Sequence, residues 1–377
     1  MKFTTLVENL KQAINLAERI TGKNLTLPVL SNVLLSTNKN ELHVLATDLE
    51  LGIQLSVPGK IEEEGQVVIP AKIFSSFLNS LTEEKITLDS EKQALKVKSG
   101  NYESVIQGIN PEDFPIIPEV KTEKYIEVEK NILKDAINQV LPSIGYITTK
   151  PELNGVYLSL DKNTLKFVGT DSFRLAEKTL TDGDFKTNIK EKLEMIIPLK
   201  TMQEVVRISS ELDDLTSITI YPDVNQVQFI FKNTTEVRLV SRLINAKFPE
   251  YQAIIPKDFE IELTVDKKEL ADAIRIAGLF TGKINDVKLT LKPNSKKIII
   301  EAQDPTLGKS QNTIEAVFIK GKELEISFNY RFLLDGVNSI KDEIVFIGLN
   351  KETNPGLFRS NTDNSFIYIL MPIKNVY

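Results

Sequence analysis

The sequence predicts an α+β protein built from three tandem copies of one module, each with two helices packed on antiparallel sheets. Three segments recur in the same order along the 377 residues. An alternating strand runs into an amphipathic helix, a second strand closes in an aspartate turn, and a third runs into a second helix. The length allows this, since a domain usually takes about 100 to 200 residues.

The first segment carries Leu-x-x-Ala-Ile at Leu10, Ala13 and Ile14, at Leu133, Ala136 and Ile137, and at Leu270, Ala273 and Ile274. Apolar residues three and four apart mark one helical face. The second segment ends Leu45-Ala46-Thr47-Asp48, Val168-Gly169-Thr170-Asp171 and Glu301-Ala302-Gln303-Asp304. The third reads Val68-Ile69-Pro70-Ala71-Lys72, Ile196-Ile197-Pro198-Leu199-Lys200 and Ile326-Ser327-Phe328-Asn329-Tyr330. Proline suits a first helical turn, where its missing N–H has no partner to lose. The copies lie 123 to 137 residues apart. Helices are predicted over 8–23, 70–81, 130–142, 198–210, 266–283 and 329–341. Alternating strands follow each second helix, as in Lys85–Leu88, Ser217–Ile220 and Glu343–Phe346, with polar turns that imply hairpins. Asn110-Pro111-Glu112-Asp113-Phe114-Pro115 and Asn245-Ala246-Lys247-Phe248-Pro249-Glu250 mark linkers. The modules are therefore placed at 1–120, 121–255 and 256–377.

Composition narrows the chemistry. With no cysteine, disulfides, thiolate metal sites and cysteine nucleophiles are excluded, and a reducing compartment fits. The one histidine, His43, alternates with apolar neighbours and reads as a strand side chain; no second histidine exists to share a metal. Asp48, Asp171 and Asp304 could serve as acid, base or ligands. Their recurrence at one place in each module instead favours a turn role, with aspartate accepting from nearby N–H groups. Gly308-Lys309-Ser310 resembles half a phosphate loop, but the position five before is Gln303, so the motif fails. No catalytic residue, metal or cofactor is expected. No secretion signal or run of about 18 apolar residues is seen, which points to a cytoplasmic protein with no membrane partner.

Three copies of one unit invite a closed assembly in which every copy packs alike, and a head-to-tail dimer would supply six. Charge adds a clue. The six helix windows hold 14 Lys and Arg against 8 Asp and Glu, a net +6, whereas the rest of the chain carries −12 of the total −6. A ring with weakly positive helices inside and an acidic exterior would hold duplex DNA by enclosure rather than affinity, because phosphate contacts alone weaken steeply with salt. The candidate DNA-facing cations are Lys11, Arg19, Lys23, Lys72, Lys134, Lys200, Arg207, Lys267, Arg275 and Arg331.

Across essentially the whole chain the residues resemble the bacterial DNA polymerase III beta subunit family, the beta sliding clamps. The resemblance rests on Met1-Lys2-Phe3-Thr4, Thr26-Leu27-Pro28-Val29-Leu30, Ala46-Thr47-Asp48-Leu49-Glu50, Ile69-Pro70-Ala71-Lys72, Leu153-Asn154-Gly155-Val156, Thr170-Asp171-Ser172-Phe173-Arg174-Leu175-Ala176, Phe248-Pro249-Glu250-Tyr251 and Met371-Pro372, in that order. It implies a head-to-tail homodimeric ring of six clamp domains around double-stranded DNA, nucleoid-associated and without an active site. The ring would tether the DNA polymerase III catalytic subunit, a clamp loader, and other polymerases and repair proteins through short peptides.

Carried onto matching positions, the peptide cleft would use Leu153, Thr170, Ser172, Phe173, Arg174, Leu175, Pro249 and Ile254, with Ile369, Leu370, Met371, Pro372 and Ile373, and Pro355 at its rim. Phe173 stands where the family usually carries histidine, which makes the pocket more apolar. Two buried partner side chains at about 1.5 to 3 kcal/mol each, offset by the cost of ordering a peptide, give affinities near the micromolar range. For the dimer contact the resemblance points to Ile73, Phe77, Ser104 and Ile106 meeting Leu279 and Phe280. The family's DNA-contacting loops fall near Asn24 and Ile147, neither cationic, so Lys23, Lys150 and Lys200 are the stronger candidates there. A scaffold that binds no nucleic acid is the competing reading.

Overall fold

The structure is a computed structural model and describes all residues except 23–26, 39–40, 146–148, 233–234 and 375–377. These fall into two compact units: Met1–Leu133 with Phe185–Ile189 and Gln203–Leu243, and Lys134–Asp184 with Lys190–Met202 and Ile244–Tyr377. The central module contributes to both. Module one runs β1 (Lys2–Leu6), α1 (Val7–Ile20), β2 (Asn32–Asn38), β3 (Glu41–Thr47), β4 (Leu51–Pro58), β5 (Lys60–Glu63), β6 (Gln66–Pro70), α2 (Ala71–Ser80), β7 (Lys85–Glu91), β8 (Ala94–Ser99) and β9 (Tyr102–Gln107). Module two repeats the order as β10 (Ile126–Glu129), α3 (Lys130–Val140), β11 (Gly155–Asp161), β12 (Thr164–Thr170), β13 (Arg174–Leu180), β14 (Phe185–Thr187), β15 (Leu193–Pro198), α4 (Leu199–Glu211), β16 (Ser217–Pro222), β17 (Gln226–Lys232) and β18 (Glu236–Arg242). Module three has β19 (Ile261–Asp266), α5 (Lys267–Gly278), β20 (Asp286–Lys292), β21 (Lys297–Asp304), β22 (Gly308–Lys320), β23 (Leu324–Asn329), α6 (Tyr330–Ser339), β24 (Ile344–Leu349), β25 (Gly356–Ser360) and β26 (Phe366–Leu370). Its long β22 replaces two strands of the other modules.

All six predicted helices form; α1 begins and α4 ends one residue beyond its expected bound, and α5 stops five residues short of its own. Each first helix buries the predicted face, in α1 Leu10, Ala13, Ile14 and Ala17. Pro70 and Pro198 end strands rather than open helices, because each still pairs as the last strand residue, with Asn32 and Gly155. The start of α5 is capped by Asp266, whose side chain accepts from Glu269 N at 2.8 Å, and the start of α6 by Asn329, accepting from Arg331 N at 3.0 Å. Such caps satisfy N–H groups that a first turn leaves unpaired.

Every strand pairing between named strands is antiparallel, in sheets of five, nine and twelve strands. Two pairings carry a sheet from one module into the next. β18 pairs β4, with Leu239 opposite Ile53, and β13 pairs β26, with Leu175 opposite Ile369. The homologous edges at the two ends of the chain are open. Among the described residues β9 pairs only β8, and residues 308–315 of β22 pair only β21.

Helices follow the same logic. In the first unit α1 packs on α2, and Gln12 Nε2 on α1 donates to Glu211 O at the end of α4 at 3.3 Å. In the second unit α5 packs on α6, and Gln139 Nε2 on α3 donates to Ser339 O on α6 at 2.9 Å. On α6 a Cβ added at Gly336 would overlap the ring of Tyr368, which is fully buried. Ala restores about 1 kcal/mol of helix propensity, but overpacking against a fixed ring costs about 1 to 3 kcal/mol or more. Gly336→Ala should therefore lower the thermal midpoint in calorimetry, and an unchanged or higher midpoint would show that the ring can yield.

Candidate functional site

The three aspartate turns are alike in detail. Asp48 Oδ1 accepts from Glu50 N and Leu51 N, Asp171 Oδ1 from Phe173 N and Arg174 N, and Asp304 Oδ1 from Thr306 N and Leu307 N, at 2.8 to 3.1 Å. Thr47 and Thr170 hydroxyls brace the first two by donating to Leu51 O and Arg174 O. Leu49 and Ser172 follow with φ of 79° and 78°, a left-handed step that the paired side chains hold in place. The aspartates are turn formers, as their repetition predicts. Among the described residues no group of three or more His, Asp or Glu could hold a metal. His43 sits on β3 beside Ser56 Oγ, and burial lowers its pKa from the ordinary value.

The second turn is tied into the interior by Arg174. Its side chain is 10% exposed; Nε meets Asp171 Oδ2 at 2.9 Å and Nη1 meets Asp335 Oδ2 at 2.6 Å. Its guanidinium lies 4.1 Å from the centre of the Phe332 ring. Two of its nitrogens are committed within the chain, so Arg174 supports the turn that carries Ser172 and Phe173.

Around that turn the structure sets Thr170, Arg174, Leu175, Ile369 and Leu370 on the neighbouring strands β12, β13 and β26, with the other expected cleft residues outside strands. Leu153, Leu175 and Ile369 belong to a buried apolar cluster with Val168, Ile196, Phe248, Tyr251, Phe346 and Leu357. Leu370 is fully buried and Thr170 nearly so. Beyond the Arg174–Leu370 pairing, Met371 N donates to Phe173 O at 2.9 Å, and Ile373 N to Ser327 O at 2.8 Å. Phe173, Ile254 and Met371 are exposed, at 63%, 47% and 39%, with Ser172 and Pro249 also exposed and Pro355, Pro372 and Ile373 half-buried. Pro355 precedes Gly356, which pairs with Leu370. A buried apolar floor thus carries an exposed apolar rim. Sequence reasoning missed Phe346, Leu357 and Tyr157 in that floor. Phe248 and Tyr251 stood in the Phe-Pro-Glu-Tyr signature, but nothing in the pattern said that they pack inward.

The helix cations divide. Among the described residues Lys11, Arg19, Lys72, Lys134 and Arg331 make no ion pair, and Arg19, Lys72, Lys200 and Arg331 are exposed. Lys23 lies outside the described residues, as do Asn24 and Ile147. Two candidates are committed to contacts within the chain. Arg207 is bound by Glu204 at 2.5 Å and Glu211 at 3.0 Å with its side chain 15% exposed, so its charge is neutralised. Lys267 Nζ donates to Asn338 O and Ile340 O, capping the end of α6 as Lys130 Nζ caps α4 through Leu212 O. Arg275 pairs with Asp272 at 2.5 Å on the surface, a contact worth little in water. Lys150 reaches Ser172 Oγ at 3.3 Å and so stands at the cleft rim.

Of the expected dimer residues, Ile73 on α2 and Leu279 just after α5 are 58% and 72% exposed, and Phe77, Ser104 and Phe280 are half-buried. Ile106 is corrected: at 7% exposure its side chain faces its own core, and β9 instead presents Tyr102 and Val105. Ile276 and Leu307, which the sequence did not single out, are exposed apolar residues like Leu279.

Three modules joined strand to strand, with open homologous edges at both ends, define a modular clamp-fold protein. The family models for the N-terminal, central and C-terminal domains of the DNA polymerase III beta subunit match residues 1–118, 127–250 and 252–374, and the chain belongs to that family. It is 29% identical over 380 residues to the beta sliding clamp of Synechococcus elongatus, covering 99% of each chain. A solved sliding clamp from Bacillus subtilis superposes with a TM-score of 0.92 at 26% identity, over 100% of this chain and 99% of that one. A sliding clamp from Pseudomonas aeruginosa, solved bound to griselimycin, gives 0.91 at 26% identity over 99% of each.

The Asp171 turn holds two backbone N–H groups and the half-buried Arg174, and charged hydrogen bonds contribute about 1.5 to 3 kcal/mol each when buried. Asp171→Ala is expected to cost about 2 to 4 kcal/mol in denaturant unfolding, clearly more than Asp304→Ala in its exposed counterpart. Equal losses at the two positions would remove Arg174 from this account.

Proposed function

We propose that this chain is the DNA sliding clamp of a bacterial replicase: two copies close head to tail into a ring around duplex DNA and tether a polymerase to it. The observation that carries the reading is the pair of open edges. Strands β4 and β13 each join a neighbouring module through β18 and β26, whereas their homologue in module three, residues 308–315 of β22, and β9, the homologue of β18 and β26, have no such partner among the described residues. The helices leave the matching gap. Where α1 meets α4 and α3 meets α6, the remaining α5 and α2 expose Ile276, Leu279 and Ile73. Pairing β22 and α5 of one copy with β9 and α2 of the next repeats the internal joint, a head-to-tail contact that must close or polymerise. Six modules would close it.

The chain would divide at about residues 120 and 255. Its helices would face DNA with Lys11, Arg19, Lys72, Lys134, Lys200 and Arg331, few enough to permit sliding at a net charge of −6. The cleft around Leu175, Phe173 and Met371 would take short apolar peptides of the polymerase III catalytic subunit, a clamp loader and repair proteins in turn. No step of chemistry is assigned to the chain, because the repeated aspartates are occupied as turn formers. No helix among the described residues is long and apolar enough to cross a membrane, and a cytoplasmic, nucleoid-associated place fits the role.

Three experiments test this. Once loaded, the protein should stay on closed circular DNA and be lost after linearisation; equal retention on both would make it an ordinary DNA binder, and retention on neither a scaffold. Solution mass should be twice 42.4 kDa, with Ile73→Lys plus Leu279→Lys shifting it toward the monomer; a wild-type monomer at micromolar concentration argues against the ring. Met371→Ala with Leu175→Ala should weaken griselimycin binding by roughly tenfold or more while leaving the dimer intact. Unchanged affinity would remove the cleft.

A further inference from the structure

We infer that Glu177 and Tyr251 are positioning residues for the peptide cleft: their hydrogen bond holds the wall formed by residues 245–255 in the shape that receives a partner. This rests on the cleft reading proposed above. Neither residue was marked by any sequence pattern as part of a site.

The wall needs such a device. It carries Pro249 and Ile254, both exposed, yet among the described residues no strand pairs with 245–255. Its backbone is tied at the start, where Ile244 N donates to Ile196 O at 2.9 Å, and within its own short turn, where Ile254 N donates to Tyr251 O at 3.1 Å. Side chains must do the rest. Phe248 stacks on Tyr157 with ring centres 4.5 Å apart and planes 8° from parallel, and Tyr251 lies edge-on to both. Stacking alone lets rings slide.

The Tyr251 hydroxyl removes that freedom. It donates to Glu177 Oε2 at 2.5 Å, and Glu177 Oε1 accepts from Lys166 Nζ at 2.8 Å and from Thr179 Oγ1 at 3.2 Å. Glu177 is 6% exposed and Tyr251 7%. A buried carboxylate would be costly alone; with three donors it becomes a fixed post, since a fully satisfied buried network rigidifies what it joins. Burial, and then the bond to Glu177, push the Tyr251 hydroxyl far above the usual phenol range, so it stays a donor.

Strand β13 makes this more than local. It begins at Arg174, which braces the turn bearing Ser172 and Phe173, and three residues on it presents Glu177. One rigid strand thereby sets both walls, and neither buried residue offers surface to a peptide. Their effect on affinity must act through preorganisation, where loosening one loop costs roughly threefold to tenfold.

The test uses the full-length dimer, griselimycin as probe in calorimetry, and hydrogen exchange. Tyr251→Phe removes one hydroxyl, and Glu177→Gln keeps side-chain volume should the first variant lower the folded fraction. Each should weaken binding roughly threefold to tenfold and speed exchange at amides 246–255, with other segments unchanged. Because both act through one bond, the double variant should bind no more than about twofold worse than the weaker single. Multiplying effects, or unchanged affinity in both singles while Met371→Ala still lowers it, would overturn the inference. Unchanged affinity in Met371→Ala would instead remove the cleft reading. Exchange then decides alone, and protection of 246–255 equal to wild type in both singles would overturn the bond's role in holding the wall.

Discussion

The structure depends on one constraint: the backbone groups at the edge of a sheet must find partners. Each module ends in a strand with one side unsatisfied, and the chain resolves this twice by laying the end of one module against its neighbour, β18 on β4 and β26 on β13. These joints are main-chain hydrogen bonds, so their direction and register are specific while their sequence demands are modest. That tolerance explains how three modules with little residue identity adopt one arrangement. It also leaves two edges of the same kind, β9 and residues 308–315 of β22, without a further strand partner among the described residues.

The second unit adds a different kind of order. Its apolar cluster is flanked by buried charge: Arg174 between Asp171 and Asp335, and Glu177 between Lys166 and Tyr251. Buried charge is seldom a net source of stability, because desolvation offsets most of the attraction. What such groups supply is a single geometry. Apolar side chains can repack around a missing neighbour, whereas a guanidinium held by two carboxylates and a ring cannot. A surface proposed to receive short peptides through a few side chains benefits from fixed walls, and both charged posts lie on β13.

Charge on the helices is as informative in what is withdrawn as in what is presented. Arg207 and Lys267 look in sequence like their neighbours, yet one is neutralised by two glutamates and the other caps a helix end. Of the helix candidates, Arg19, Lys72, Lys200 and Arg331 remain exposed. For a protein proposed to enclose DNA, sparse contact is consistent with motion along it, since each additional phosphate contact would strengthen the hold and slow release.

The triple repeat, the six helices and the aspartate turns were legible in the sequence because they are local: periodicity, spacing and turn chemistry act over a few residues. The cleft floor was legible in part, through Leu153, Leu175 and Ile369, since apolar residues in strands are buried as a rule. Phe346, Leu357, Asp335 and Glu177 were not, because their meaning comes from distant partners: Asp335 meets Arg174 161 residues away, Glu177 meets Tyr251 74 residues away, and Phe346 and Leu357 join the cluster of Leu153 and Leu175. Ile106 and Val105 show the limit most plainly: alternation says that one of the two faces inward, but only the register of β8 on β9 decides which. The sequence by itself thus determined the modules and their order, whereas the tertiary structure decided which charges are spent inside, which apolar side chains remain outside, and which strand edges stay open.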